Sequence, residues 1–307
     1  MIYSVTINPA IDYVIELPEL KTGLVNRLES AIKLPGGKGI NVSRILKELN
    51  IPTTAWGFTG GFTGTFINQS LEDFGLGCDF TPIKGDTRIN VKLKAQTETE
   101  LNAPGPQISD EEIDAFRAKF SSLKPGDVVV MAGSIPTGLP ESFYRDLIPL
   151  IRAKGAEFVI DTTGKALRDT LPLEPLVVKP NHHELAELFG DPEYPDIQST
   201  VKAGRKLLKL GAKHVLISMA GAGALLITKD KAWHGTAAKD TVKNSVGAGD
   251  SMLAGFTGTF AETGDELLSF KRSLACGSAT AFSTDLAIAP KIKEVEATIK
   301  IVEVKEN

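Results

Sequence analysis

The chain has 307 residues, 42% hydrophobic and 23% charged, with 29 Gly and 17 Pro. This composition excludes collagen, coiled coil and disorder, and the length suffices for a large α/β unit with a sizeable core. The net charge of −4 comes from 34 basic and 38 acidic residues without a basic block, so neither a nucleic-acid partner nor, with no apolar run near ~20 residues, a membrane is expected.

The opening MIYSVTINPAID lacks the basic and apolar regions of a leader, which predicts a cytoplasmic protein. Asp12–Leu17 alternates apolar with polar residues, the pattern of a half-exposed strand. Val42, Ile45, Leu46 and Leu49 follow helical spacing. The echo of Gly57–Gly60 in Gly61–Gly64 predicts a glycine-rich loop. Arg88–Ala95 alternates again, with Ile89, Val91 and Leu93 on one face and Asn90, Lys92 and Lys94 on the other; Glu98–Asn102 is its predicted hairpin partner. These segments predict a small antiparallel β-sheet flap from insertions near 12–34 and 88–103. Its apolar face must cover the core, a substrate or a second copy of the chain.

Beyond residue 108 the pattern changes. Ser109–Leu123 opens with Ser109 three residues before Glu112, a capping-box match. Asp127–Ala132, Glu157–Asp161, Leu176–Lys179 and His214–Ser218 are nearly continuous apolar runs, as expected of buried parallel strands. Helices are predicted over Pro140–Ala153, Gln198–Leu210, Ala248–Glu262 and Asp265–Ser283, and a surface loop around Pro192 and Pro195. This alternation predicts a doubly wound α/β fold over 1–307, carrying the flap.

Several segments carry chemistry. Asn244–Ser251 (NSVGAGDS) places Gly247 and Gly249 at the start of an amphipathic helix, where backbone amides converge on an anion. Asp250 beside them suits a base that takes a hydroxyl proton while the amides hold developing phosphoryl charge; alternatively it only favours the helix dipole. Pro35–Val42 (PGGKGINV) is another glycine turn into a helix, with Lys38 to neutralise a phosphate and Asn41 to bond hydroxyls. It is not a Walker A loop, because Gly39 follows the lysine. Gly221-Ala222-Gly223 lacks the third glycine of a dinucleotide fingerprint. In Lys179–Glu184 (KPNHHE), the adjacent His182 and His183 do not suit a shared metal, whereas Asn181 and Glu184 share a face with oxygens suited to Mg²⁺ through water.

These segments, in this order, resemble the PfkB branch of the ribokinase-like sugar kinases, over essentially the whole chain. GGKGIN is similar to the first family signature, VGAGDS to the second, and Asn181-x-x-Glu184 to the family's magnesium motif. Asn244-Ser245 departs from the Asp-Thr that usually opens the second signature. The resemblance implies a three-layer α/β/α sandwich with a β-sheet lid, ATP as co-substrate, Mg²⁺, a monovalent cation and a homodimer formed through the lid. It implies Asp250 as general base and Gly247, Ala248 and Gly249 as the anion hole. Asp12, Gly36, Gly37 and Asn41 would hold the sugar. Lys38, Arg88 and Arg27 would hold its phosphate, with Ser134 facing the sugar. Lys179, Asn181, Ser218, Gly221 and Gly223 would line the nucleotide, and Glu184 would act through magnesium waters. Asn8–Asp12, Gly126–Pro136 and Gly85–Lys92 are similar to the sugar-phosphate kinases of the group. They imply phosphorylation of fructose 1-phosphate to fructose 1,6-bisphosphate, with tagatose 6-phosphate or fructose 6-phosphate as alternative substrates. A catalytically silent sugar-phosphate sensor is the alternative from another class.

Overall fold

The computed structural model describes residues 1–306. Its strands are β1 (Ile2–Thr6), β2 (Ala10–Glu16), β3 (Ser30–Gly36), β4 (Thr53–Gly60), β5 (Gly77–Ile83), β6 (Arg88–Lys94), β7 (Thr99–Leu101), β8 (Val128–Ala132), β9 (Glu157–Asp161), β10 (Val215–Ser218), β11 (Ala224–Ile227), β12 (Ala232–Gly235) and β13 (Ile301–Glu303). The helices are α1 (Lys38–Glu48), α2 (Gly61–Asp73), α3 (Asp110–Ala118), α4 (Phe143–Arg152), α5 (Gly164–Thr170), α6 (His182–Phe189), α7 (Ile197–Lys209), α8 (Ala248–Thr263), α9 (Glu266–Ala281) and α10 (Ala289–Glu296).

The central sheet runs β5-β4-β1-β8-β9 in parallel. Val178 then bridges Ile160 and Val215, both in parallel, and leads to β10-β11-β12-β13, which pair antiparallel. Two expectations are corrected here. Leu176–Lys179 pairs by isolated bridges rather than as a strand; Pro175 and Pro180 flank it and offer no amide to a ladder. The sheet is mixed, because short hairpins join β10 to β11 and β11 to β12 where a crossover helix would be needed to stay parallel, and β13 returns antiparallel to β12 after α8–α10.

Successive core residues feed opposite faces, as strand geometry requires. Val129 and Met131 of β8 join Phe116, Phe143, Phe158 and Leu207 under α3, α4 and α7. Val128 and Val130 join Ile45, Leu253, Phe256 and Leu274 under α1, α8 and α9. Two cores sandwich one sheet, giving three layers. Each fully buried aliphatic side chain contributes about 1.5–3 kcal/mol, and β8 is buried along its whole length.

Residues 57–64 are not a loop. Gly57–Gly60 ends β4 and Gly61–Gly64 begins α2. The glycines serve close approach: a Cβ on Gly57 would stand 1.9 Å from Thr6 O, and one on Gly60 2.2 Å from Gly85 O. Ser109 caps α3 in the expected capping box with Glu112.

The second sheet has the order β3-β2-β6-β7 and forms the lid. β2 pairs antiparallel with β3 but parallel with β6, so this sheet too is mixed rather than antiparallel. β7 is the expected hairpin partner of β6, with Val91 opposite Leu101. Arg88, Asn90 and Lys92 face the cleft below the lid. Ile89 is turned to the opposite side, where Leu101 stands across from Val91, and Ile89 and Leu101 leave an apolar, exposed patch there.

Candidate active site

A cleft of about 730 Å³ lies between the lid and the carboxyl ends of the parallel strands. Its walls bring together Asp12, Gly37, Lys38, Asn41, Arg88, Ser134, Lys179, Gly247, Gly249 and Asp250. These residues are far apart in sequence; strand ends and helix starts make them converge.

Asp250 sits in the first turn of α8 and is 7% exposed. Gly247 caps this helix in the left-handed region, φ 77°, and a Cβ there would stand 2.6 Å from Leu286. Glycine therefore meets both a conformational and a steric demand. Among the described residues, the amides of Gly249 and Asp250 find no backbone acceptor, while Ala248 donates to Ser245 O at 3.2 Å. Among the described residues the Gly247 amide is likewise unengaged, so the turn presents open amides from Gly247, Gly249 and Asp250, and the Ala248 amide is already engaged. Asn244 accepts from Val246 N at 3.0 Å and donates to Thr284 O at 3.3 Å, so its amide braces the turn from outside.

The charges around Asp250 form one group. Asn41 Nδ2 donates to Asp250 Oδ2 at 2.8 Å. Asp161, at the end of β9 and 6% exposed, is 3.1 Å from Lys38 Nζ and 3.7 Å from Lys179 Nζ. Burial and the neighbouring Asp161 charge push the Asp250 carboxyl up to about 6, against the pull of Lys38, Asn41 and Lys179. Burial also disfavours charge on Asp161, but Lys179 and Lys38 outweigh it and hold this carboxyl below its ordinary value. One carboxylate is poised to take a proton and the other stays charged to hold the lysines. Asp161 was missed as a site residue: in sequence it is only the last residue of an apolar strand.

The glycine turn before α1 is built by contacts within the protein. A Cβ on Gly36 would stand 2.4 Å from Asp12 Oδ2, and one on Gly37, φ 135°, 2.6 Å from Thr6 Cγ2. Thr6 Oγ1 accepts from Ile40 N at 3.0 Å and fixes the helix start. Asp12 is held by Asn90 Nδ2 at 3.2 Å and faces Lys92 Nζ at 3.7 Å. Burial raises the Asp12 carboxyl, with Lys92 opposing. Asn90 and Lys92 are further cleft residues that went unread, because their polar alternation also describes a solvated face. Arg88 reaches the cleft from β6.

Other candidates lie elsewhere. Arg27 is exposed on the segment joining β2 and β3 and does not line the cleft. Ser218 ends β10 and bridges Asn181; Gly221 and Gly223 lie in the turn between β10 and β11, with Gly223 at φ 91°. Asn181 and Glu184 form a reciprocal capping box at the start of α6, both bonds 2.8 Å. One Glu184 oxygen is spent on the cap and the other carries no bond among the described residues. Among those residues no cluster of three or more His, Cys, Asp or Glu side chains forms a metal cage. His182 Nδ1 approaches Ser218 O at 3.4 Å and His183 Nδ1 meets Glu193 at 2.6 Å, ordinary packing partners.

Fold and site together define a ribokinase-like phosphotransferase with an alcohol acceptor: an acid at a helix start, open amides, paired lysines and a lid. The profile of the pfkB family carbohydrate kinases matches residues 1–292, and the chain belongs to that family. The chain is 44% identical over 301 residues to the 1-phosphofructokinase of Bacillus subtilis, covering 98% of this chain and 99% of that one. It is 35% identical to the D-tagatose-1-phosphate kinase of Bacillus licheniformis, over 98% and 99% of the two chains. A crystal structure of a putative phosphofructokinase from Staphylococcus aureus superposes with a TM-score of 0.89 at 38% identity, covering 100% of both chains.

Proposed function

We propose that the chain transfers the γ-phosphoryl group of ATP to fructose 1-phosphate, forming fructose 1,6-bisphosphate, as a single kinase unit with a lid. The observation that carries the reading is Asp250. It is buried and bonded by Asn41, beside open amides and the two lysines that Asp161 holds. In this reading the substrate's 6-hydroxyl attacks the γ-phosphorus. The new P–O bond forms as the bond to the ADP oxygen breaks, and the hydroxyl proton passes to Asp250. Phosphoryl transfer needs little beyond positioning and charge stabilisation, and Lys38, Lys179 and the Gly249 and Asp250 amides supply both.

Asp12, Gly36, Gly37 and Asn41 hold the sugar. Arg88, with Lys38 and Ser134, holds its phosphate through charge-assisted bonds. Asn181, Ser218, Gly221 and Gly223 lie on the nucleotide side with Lys179. The unspent oxygen of Glu184 suits Mg²⁺ through water, and such an ion supplies charge neutralisation to the ATP phosphates. A monovalent cation beside the anion hole belongs to the same reading. The exposed apolar side of the lid suits a second copy of the chain, giving a homodimer.

The tagatose-1-phosphate kinase at 35% identity favours a second reading, in which another ketose 1-phosphate is the substrate. A coupled ADP-release assay with Mg-ATP tests both. It compares kcat/KM for fructose 1-phosphate, tagatose 1-phosphate, tagatose 6-phosphate and fructose 6-phosphate. A preference for fructose 1-phosphate of about tenfold, ~1.4 kcal/mol of discrimination, is expected. A preference for either 6-phosphate overturns the substrate assignment, and binding without turnover of any of them supports a sensor instead.

A further inference from the structure

Asn8 has no role in the account above. It lies two residues past β1, is 4% exposed and lines the cleft. Its backbone carbonyl accepts from Arg88 Nε at 3.2 Å and from Nη2 at 3.0 Å. The other Arg88 nitrogen, Nη1, donates to Ala103 O at 2.8 Å. The direction of the guanidinium is therefore set by two backbone carbonyls from separate segments.

The Asn8 amide ties those segments together. Nδ2 donates to Pro104 O at 3.2 Å, next to Ala103, and to Ser134 Oγ at 3.4 Å in the turn after β8. One side chain thus joins the exit of β1, the return of the lid after β7, and the Ser134 turn. Stability alone does not account for an asparagine here. Its Oδ1 is buried with no donor, which costs free energy. The chain accommodates it with Gly105, φ 99°, where a Cβ would stand 2.3 Å from Oδ1. A buried amide with long bonds and an orphan oxygen is retained where its geometry serves function.

We infer that Asn8 is a positioning residue for the substrate's phosphate: its amide ties Ser134 to the Pro104 segment, and so holds in place the neighbouring Ala103 carbonyl that aims Arg88 together with the backbone carbonyl of residue 8. The inference rests on the reading of the cleft as a sugar-phosphate site and extends it to a group that does not touch the reacting atoms.

The test is steady-state kinetics of Asn8→Ala, Ser134→Ala and the double variant. In Asn8→Ala, KM for fructose 1-phosphate rises about tenfold, the size of one or two buried hydrogen bonds. KM for ATP and kcat stay within about twofold. The double variant shows less than the product of the single effects, because both residues act through one contact. Asn8→Leu keeps much of the shape, removes the donor without adding charge, and carries the same test should the alanine variant not fold. A rise in both KM values together, a lowered Tm with unchanged kinetics, or independent multiplication of the single effects overturns the inference. A wild type inactive on fructose 1-phosphate overturns the functional reading and this inference with it. An active wild type with an indifferent Asn8→Ala overturns the inference alone.

Discussion

Strand β8 crosses the centre of the core with every residue buried, whereas β7 at the edge of the lid is exposed along its whole length. The core strands are covered on both faces by helices of the same chain. The lid has a polar side over the cleft and an apolar side that α2 covers only in part: Ile11 is buried against Ile67 and Leu71, whereas Ile89 is 41% exposed and Leu101 57%. The groups proposed to move phosphoryl charge, Asp250, Lys38 and Lys179, sit on the core. Several of those proposed to read the sugar phosphate, Asp12, Asn90 and Arg88, sit on the lid. In the proposed function, rigid elements carry the geometry-sensitive step, and the part with less internal support carries recognition.

The hardest blow to this division of labour falls on the core. Asp250→Asn is expected to lower kcat by roughly 10²–10⁴, the usual worth of a general base, with KM for the sugar nearly unchanged. The variant should fold at least as well as the parent at neutral pH. The Asp250 carboxyl is raised to about 6 by burial, so its charged form opposes folding above that pH, and the opposition fades as pH falls through it. A lower Tm for Asp250→Asn would contradict this. On the lid, Arg88→Ala is expected to raise KM for the sugar phosphate by roughly 10- to 100-fold, from the loss of charge-assisted bonds, with kcat less affected. Equal loss of kcat in both variants would erase the distinction.

Smaller effects sharpen it. Turnover of the wild type should be present above pH 6 and decline as pH falls through about 6, where Asp250 takes a proton. In Asp161→Asn a neighbouring negative charge is lost and Lys38 and Lys179 are freed, both of which favour ionised Asp250. The acid limb should then move to lower pH, and a limb that stays or rises would reject the coupling. Replacing Ile89 and Leu101 by Lys should convert a dimer to monomer in light scattering, with a Tm change within a few degrees, since exposed substitutions cost about 0.5 kcal/mol or less. A dimer that survives would place the interface elsewhere.

The sequence was most legible where local rules suffice. The capping residue of α3, the apolar runs of β8 and β9, and the helices after residues 142, 196, 247 and 265 follow from spacing and end signals. Legibility failed where a residue's meaning depends on a distant neighbour. The glycine echo over Gly57–Gly64 predicts a loop, yet its glycines admit Thr6, Gly85 and Asp86 at close range. The parallel pairing of β2 with β6 joins segments that alternation alone cannot orient. The motifs around Lys38, Asn41 and Asp250 gave most of the chemical centre. Asp161 and Asn8 stayed hidden, one ending an apolar strand and the other preceding a proline, since their partners lie in other segments of the chain.

The most direct test is calorimetric titration of fructose 1-phosphate into Asp250→Asn and Arg88→Ala, beside the wild type. The account predicts that Asp250→Asn binds within about threefold of wild type while Arg88→Ala loses about tenfold or more. Loss of binding in Asp250→Asn with wild-type binding in Arg88→Ala would contradict it.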